Sequence, residues 1–283
     1  MRLVRFKSDS DLPIPGIVEN QSVKEISISS SNLTTASDPF GEVLELLTTK
    51  GPEAVVQAAD ETGPSATTLV EKDIFPPISE NGRLFALGGV YTQHIRERNQ
   101  PLNKVPSQWL VPETAIVGPQ DPIVLPERVS DSVIPAVELG VVIGKSGKYI
   151  EERDALDHIA GYTIINDITA RTEWPGPMAY KLMDTFSPCG PHVVTTDELD
   201  QRVGLDMSVR HAGDRICQGS TSSMRFTIPF IVSYLSSIVE LRPGDVISTG
   251  DPGRVDGVLS QGETVTASIS GIGSLTNPVE IRK

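Results

Sequence analysis

From Leu84 to the C-terminus, short strand-like runs follow one another without long helices between them, and this restricts the fold more than any other feature. Leu84 to Leu87, Val137 to Ile143, Gly161 to Ile165 and Val246 to Thr249 read as buried strands. Asp206 to Gln218 reads as a hairpin turning at Ala212-Gly213-Asp214, and Thr264 to Ile269 is expected to pair with Ser274 to Ile281 across Gly271-Ile272-Gly273. Helical spacing is confined to a turn or two at Tyr91 to Arg98, a short stretch at Glu152 to Ile159, and Ile228 to Ser237. Strands that do not alternate with long helices argue against a doubly wound or barrel α/β fold. The fold class is therefore α+β, mostly β.

The first part of the chain has a different texture. Leu3 to Phe6 and Val23 to Ser29 alternate apolar and polar residues, the period of half-buried strands. Phe40 to Leu47 and Pro52 to Ala59 follow as two short amphipathic helices around Lys50-Gly51. Pro76-Pro77 and Asn81-Gly82 then mark a boundary. This predicts a small α+β N-terminal domain over residues 1–74 and a larger domain over 75–283, within what 283 residues allow.

Composition narrows the partners. With 24 basic and 37 acidic side chains the net charge is −13, a poor match to nucleic-acid phosphates. Small anionic substrates stay open, because a few placed cations suffice for them. Cys189 and Cys217 form no Cys-x-x-Cys motif and suit a reducing compartment. The opening residues turn polar before any signal-peptide core can develop, and the uncharged run Phe226 to Val239 is too short to span a bilayer. A soluble, cytoplasmic protein without nucleic-acid or membrane partners is the expectation.

One anomaly points to chemistry. Glu138 lies inside the apolar run Val137 to Ile143, where a lone buried carboxylate is costly unless paired or coordinated. An edge-strand Glu facing solvent is the competing reading. Asp167 ends a second apolar strand, where an Asn-Asp turn is the plain alternative. Together, with Lys181 and Asp184 downstream, the two acids suit a hard, oxygen-ligated cation. His94 and Glu97, three apart on a helical turn, share a face on which the carboxylate can orient the imidazole as a general base. Their flanking Arg96 and Arg98 also fit a solvated surface turn. His158 and His192 read as structural, His211 as exposed, and Trp109 as packing. Nucleophile elbows, P-loops and dinucleotide fingerprints are absent.

The order of these pieces resembles the fumarylacetoacetate hydrolase family. Tyr91-x-x-His94-x-x-Glu97 is followed by Asp121-Pro122, Val137-Glu138-Leu139, Gly161-Tyr162-Thr163, Asn166-Asp167 and Ala170-Arg171. Lys181-x-x-Asp184-Thr185-Phe186, Gln218, Leu241-x-Pro243-Gly244-Asp245 and Gly271-Ile272-Gly273 complete the series over about residues 84 to 283. The resemblance implies a mixed β-roll catalytic domain, a homodimer, and a divalent cation (Mg²⁺, Mn²⁺ or Ca²⁺). It implies hydrolysis, decarboxylation or isomerisation of a small oxo-acid or β-dicarbonyl substrate. It assigns His94 and Glu97 as a base dyad and Lys181 as stabiliser of negative charge. Tyr91, Arg171, Gln218 and Asp251 fall to the substrate, and Glu138 and Asp167 to the metal.

The departures matter too. The family takes two acids from a Glu-x-Glu on this strand, but here the first position is Ala136, which predicts weak or absent metal binding. The usual Asn before the Tyr is Val90, a usual Lys is Val111, and Thr172 and Trp174 replace polar residues. Asp251 stands where the family has Thr and is a candidate replacement carboxylate. Two readings remain: a metal-assisted C–C hydrolase or decarboxylase, or a metal-poor relative that binds a ligand or carries out isomerisation or cyclisation.

Overall fold

The computed structural model describes residues 1–7, 12–20, 22–28, 38–62, 66–70, 73–93, 102–129, 131, 133–171, 181–200, 202–253 and 255–282. His94, Glu97, Thr172 and Trp174 lie outside these residues.

Strands dominate, as the runs predict. The N-terminal stretch forms β1 (Arg2–Lys7), β2 (Pro13–Glu19), β3 (Ser22–Glu25), β4 (Ala66–Thr68) and β5 (Ile74–Phe75). Between β3 and β4 come α1 (Pro39–Lys50) and α2 (Pro52–Thr62). Asp38 caps α1 by accepting from the Gly41 N–H at 3.0 Å, Pro39 opens the helix, and Gly51, at φ 85°, closes it. Then follow β6 (Leu84–Gly88), β7 (Ser107–Val111), β8 (Ile116–Val117), β9 (Ile123–Pro126), β10 (Val133–Ile134) and β11 (Val137–Ile143). Next are β12 (Ile159–Asn166), β13 (Thr169–Ala170), β14 (Ser187–Thr195), β15 (Asp206–His211) and β16 (Asp214–Ser220). Helix α3 (Ile228–Ile238) precedes β17 (Val246–Ser248), β18 (Thr264–Ile269) and β19 (Gly273–Arg282).

Among the described residues one large sheet runs in the order β4-β3-β2-β1-β14-β12-β11-β17-β6-β7, with β5 on β1 and β8 on β14. A five-stranded sheet runs β16-β15-β18-β19-β9, and β10 pairs with β13. The N-terminal strands join the large sheet directly, because β1 pairs with β14 through Leu3 and Val193. Helix α1 also reaches across, the Thr48 hydroxyl donating to the Gly144 carbonyl at 2.9 Å.

Two expectations change. The stretch Glu152 to Ile159 is a 3₁₀ helix over Glu152–His158. His211 is not exposed but 7% accessible. Its Nδ1–H donates to the Thr264 carbonyl at 3.1 Å and its Nε2 accepts from the Ser260 N–H at 3.0 Å, so the neutral ring stitches the hairpin to β18. The hairpin turn itself is as read. Ala212 and Gly213 both take positive φ, 49° and 87°, as a two-residue loop matched to strand twist requires. No helix among the described residues is long and apolar enough to cross a membrane.

Every residue of β11 is buried, so each face of this strand meets its own core. Val137, Leu139, Val141 and Ile143 enter the larger apolar cluster, shared with Leu235, Val265 and Leu275. Val142 enters the cluster that holds Phe40, Leu44 and Leu84. Ala136, Glu138 and Gly140 share the side of Val142, since alternate residues of a strand point the same way.

Candidate active site

Register builds the site. Across the large sheet Thr163, Gly140, Ser248, Ala86 and Trp109 are successive partners on β12, β11, β17, β6 and β7. Residues directly opposite project to the same face, so this row lies on the Glu138 side. In the next row Glu138 stands opposite Ile165. One step further, the Asp167 N–H donates to the Ala136 carbonyl at 2.8 Å, which sets Asp167 against Ala136. At Gly140 a Cβ would fall 2.7 Å from Thr163 Cγ2, so only glycine keeps the floor of this face flat.

Glu138 is 2% exposed. Its Oε2 accepts from the Ser248 hydroxyl at 2.5 Å and the Gly250 N–H at 2.9 Å. Gly250 presents that N–H from the turn after β17, at φ 81°, where a side chain would be strained. Burial pushes the Glu138 carboxyl up to about 7, and the Asp251 charge adds to the rise. Lys181 is the strongest influence in the opposite direction, ahead of the Ser248 and Gly250 hydrogen bonds.

Asp167 is buried just past β12 and forms an ion pair with Lys181. The Lys181 ammonium also lies 5.4 Å from the centroid of the Trp109 ring, within the range of a cation–π contact. Tyr91 is buried as well, its hydroxyl set against Met207 Sδ at 3.7 Å. Burial drives its ionisation far upward, and the Glu138 and Asp251 charges add to this against a hydrogen bond with Thr249. Tyr91 therefore stays a neutral hydroxyl. Asp251 accepts from the Gly253 N–H at 3.2 Å, and its charge reaches both Glu138 and Tyr91.

The structure thus gathers Glu138, Asp167, Lys181, Tyr91 and Asp251. Arg171 is exposed beyond the end of β13. Gln218 is exposed on β16, and its Oε1 accepts from Arg215 Nη1 at 3.1 Å. The base dyad expected at His94 and Glu97 lies outside the described residues. Sequence reasoning missed Ser248 and the Gly250 N–H, and read Trp109 as packing only. A serine ending the strand Val246–Ser248, directly after two apolar residues, was the available signal for the first. Nothing in the spacing announces that Trp109 covers Lys181, 72 residues away.

Among the described residues no three His, Cys, Asp or Glu side chains cluster as a metal site. The acids present still fit a hard divalent cation held by two carboxylates and water. Glu138 and Asp167 share one face, and Glu138 is a buried carboxyl whose ionised form is compensated only in part, by the Lys181 charge that Asp167 also engages.

Comparison with known proteins is consistent with this geometry. Residues 83–280 match the family model described as fumarylacetoacetate (FAA) hydrolase C-terminal. The mitochondrial oxaloacetate tautomerase of Xenopus laevis is 34% identical, in an alignment covering 99% of this chain and 90% of that protein. The crystal structure of 5-carboxymethyl-2-hydroxymuconate delta-isomerase from Mycobacterium smegmatis aligns over 100% of both chains, with 31% identity and a TM-score of 0.76. Maleylpyruvate hydrolase from Sphingobium sp. SYK-6, solved with manganese(II) and pyruvate, shares the fold at 24% identity over 100% of both chains, with a TM-score of 0.80.

Proposed function

The chain belongs to the fumarylacetoacetate hydrolase family, and within it we propose an enzyme that moves a proton next to the carbonyl of a small 2-oxo acid, a tautomerase or isomerase working through an enolate. One observation carries the reading: the Lys181 ammonium, braced by Asp167, stands beside the buried Glu138 with the neutral Tyr91 hydroxyl nearby. That is the equipment for stabilising an enolate. Hydrolysis needs in addition an activated water, and the base expected for that step, His94 with Glu97, lies outside the described residues. The names of the Xenopus tautomerase and the Mycobacterium isomerase, both proton-shift enzymes, support the same choice.

In this mechanism Lys181 Nζ donates to the oxygen that becomes the enolate, where fixed positive charge is worth most. Tyr91 can only donate or accept as a neutral hydroxyl, since its proton is held far above physiological pH. Glu138 and Asp167 would hold a divalent cation, which when bound supplies Lewis-acid polarisation of the carbonyl. The family resemblance gives His94 and Glu97 as a base dyad that activates water; in the reaction proposed here His94, oriented by Glu97, instead takes the proton from carbon and returns it to oxygen or to a second carbon. Nothing else enters or leaves. The proposal includes a homodimer, to be checked by light scattering. Cleavage of a C–C bond is the second reading, favoured by the Tyr91-x-x-His94-x-x-Glu97 order.

Loss of the enol absorbance of oxaloacetate, followed alongside pyruvate release from oxaloacetate and from acylpyruvates, separates the two. Accelerated tautomerisation without new pyruvate is the expected result, and stoichiometric pyruvate release overturns it. Lys181→Met should lower turnover by about 10² to 10³, the range for removing one oxyanion donor.

A further inference from the structure

We infer that Trp109 is a positioning residue, whose indole face holds the Lys181 ammonium over the Glu138 side of the sheet so that Asp167 and the substrate anion share it. Lys181 is long and flexible, and a lysine ammonium is a point charge on a four-carbon stem with little preference for direction. Two of its contacts are the ion pair with the Asp167 carboxylate and the Trp109 ring, 5.4 Å from Nζ to centroid. Trp109 reaches this place from β7, at the end of the large sheet, standing opposite Ala86, whose small side chain leaves the row open.

The choice of tryptophan is the second observation. Its Nε1–H is buried and has no hydrogen-bond partner among the described residues. An unpaired buried N–H is unfavourable, and phenylalanine at the same position would carry none. A residue kept only for packing would not need it. Tryptophan does offer the most attractive aromatic face for a cation, and a cation lies on that face. The unpaired N–H and the occupied ring together mark a side chain suited to Lys181 rather than to stability. This rests on the proposed function only in taking Lys181 to face a substrate anion.

A double-mutant cycle tests it, with Trp109→Phe, Trp109→Leu and Lys181→Met read by urea unfolding and by calorimetric binding of oxalate, a planar enolate mimic. Trp109→Leu should weaken oxalate binding about tenfold and Trp109→Phe about two- to fivefold, from the size of a partly exposed cation–π contact. Both losses should vanish in the Lys181→Met background, as coupled sites require. Trp109→Phe should melt at or above the wild-type temperature while binding more weakly, a pairing that packing alone does not produce. Losses of equal size with and without Lys181 overturn the inference, as does a Trp109→Phe protein that loses stability and keeps its affinity. Should wild type take no oxalate, the enolate reading falls, and the unfolding cycle still decides: coupling between 109 and 181 supports the placement, and additivity overturns it.

Discussion

Two buried carboxylates stand at opposite ends of β17, and they are treated in opposite ways. Asp245, fully buried just before the strand, is closed off by four donors. Its Oδ1 accepts from the Arg83 N–H at 2.9 Å and Arg83 Nε at 3.1 Å. Its Oδ2 accepts from Arg83 Nη2 at 2.6 Å and the Arg242 N–H at 2.9 Å. Charge and hydrogen-bonding capacity are both satisfied within the protein. Glu138 receives its two donors, Ser248 and Gly250, from the other end of β17. Both donors are neutral and both bind one oxygen, and the two charges that reach it oppose each other, Lys181 favouring the ionised form and Asp251 disfavouring it. Equal burial with unequal compensation separates an acid that holds the fold from one kept ready for something that binds.

The largest effect should come from breaking the closed end. Asp245→Ala strands the Arg83 guanidinium and frees the turn that leads into β17, and removing one partner of a buried pair costs about 3–5 kcal/mol. Urea unfolding measures it. A loss below about 1 kcal/mol would mean that Arg83, whose side chain is 28% exposed, finds equivalent partners in water.

The open end should respond with the opposite sign. Glu138 is raised in the folded protein to about 7 from 4.5. The folded state therefore prefers the protonated form. The Glu138 contribution to stability is greatest below pH 4.5, falls as pH rises toward 7, and is constant above it. Glu138→Gln keeps an acceptor for Ser248 and Gly250 but cannot ionise. In chelator it should be more stable than wild type by about 1–3 kcal/mol above pH 7, with the gain vanishing near pH 4. Melting curves at pH 4, 5.5 and 7.5 give the slope. The same variant should lose activity, and a gain independent of pH would show that shape, not charge, limits this position.

Why was one end legible in the sequence and the other not? Glu138 announces itself because an acid inside Val137 to Ile143 breaks an apolar period that local context cannot explain. The strands, the hairpin at Ala212-Gly213 and the helix α3 are legible for the same reason: side-chain period and turn chemistry are local properties. Asp245 sits in Pro243-Gly244-Asp245, which reads simply as a turn, and its partner Arg83 lies 162 residues away. Long-range pairing of this kind leaves no trace in spacing. His211 fails in the same way, since its two partners, Ser260 and Thr264, come from a different stretch of chain. Asp251 could be singled out as a family departure, but that its charge reaches Glu138 depends on how the turn after β17 is aimed. The order of family motifs supplied what spacing could not, joining Glu138, Asp167 and Lys181 before any distance was known.

The smallest effect sharpens the contrast most. Ala136 is buried on the face of Glu138, and its carbonyl accepts from the Asp167 N–H. A carboxylate placed there would join the two acids already on that face. Ala136→Glu should therefore tighten Mn²⁺ binding by about tenfold, roughly 1.4 kcal/mol. Without metal the added charge has no comparable partner, since Lys181 is already engaged by Asp167. Crowded carboxylates raise one another's pKa and resist ionising together, so the metal-free variant should melt below wild type at neutral pH. Melts with and without Mn²⁺ then give two numbers that must move apart: a lower baseline and a larger metal-induced rise. If the rise equals that of wild type, Asp251 already serves as the third acid and Ala136 is no defect. If neither protein responds to Mn²⁺, the open end of β17 is compensated by Lys181 alone, and the difference between the two carboxylates is one of degree.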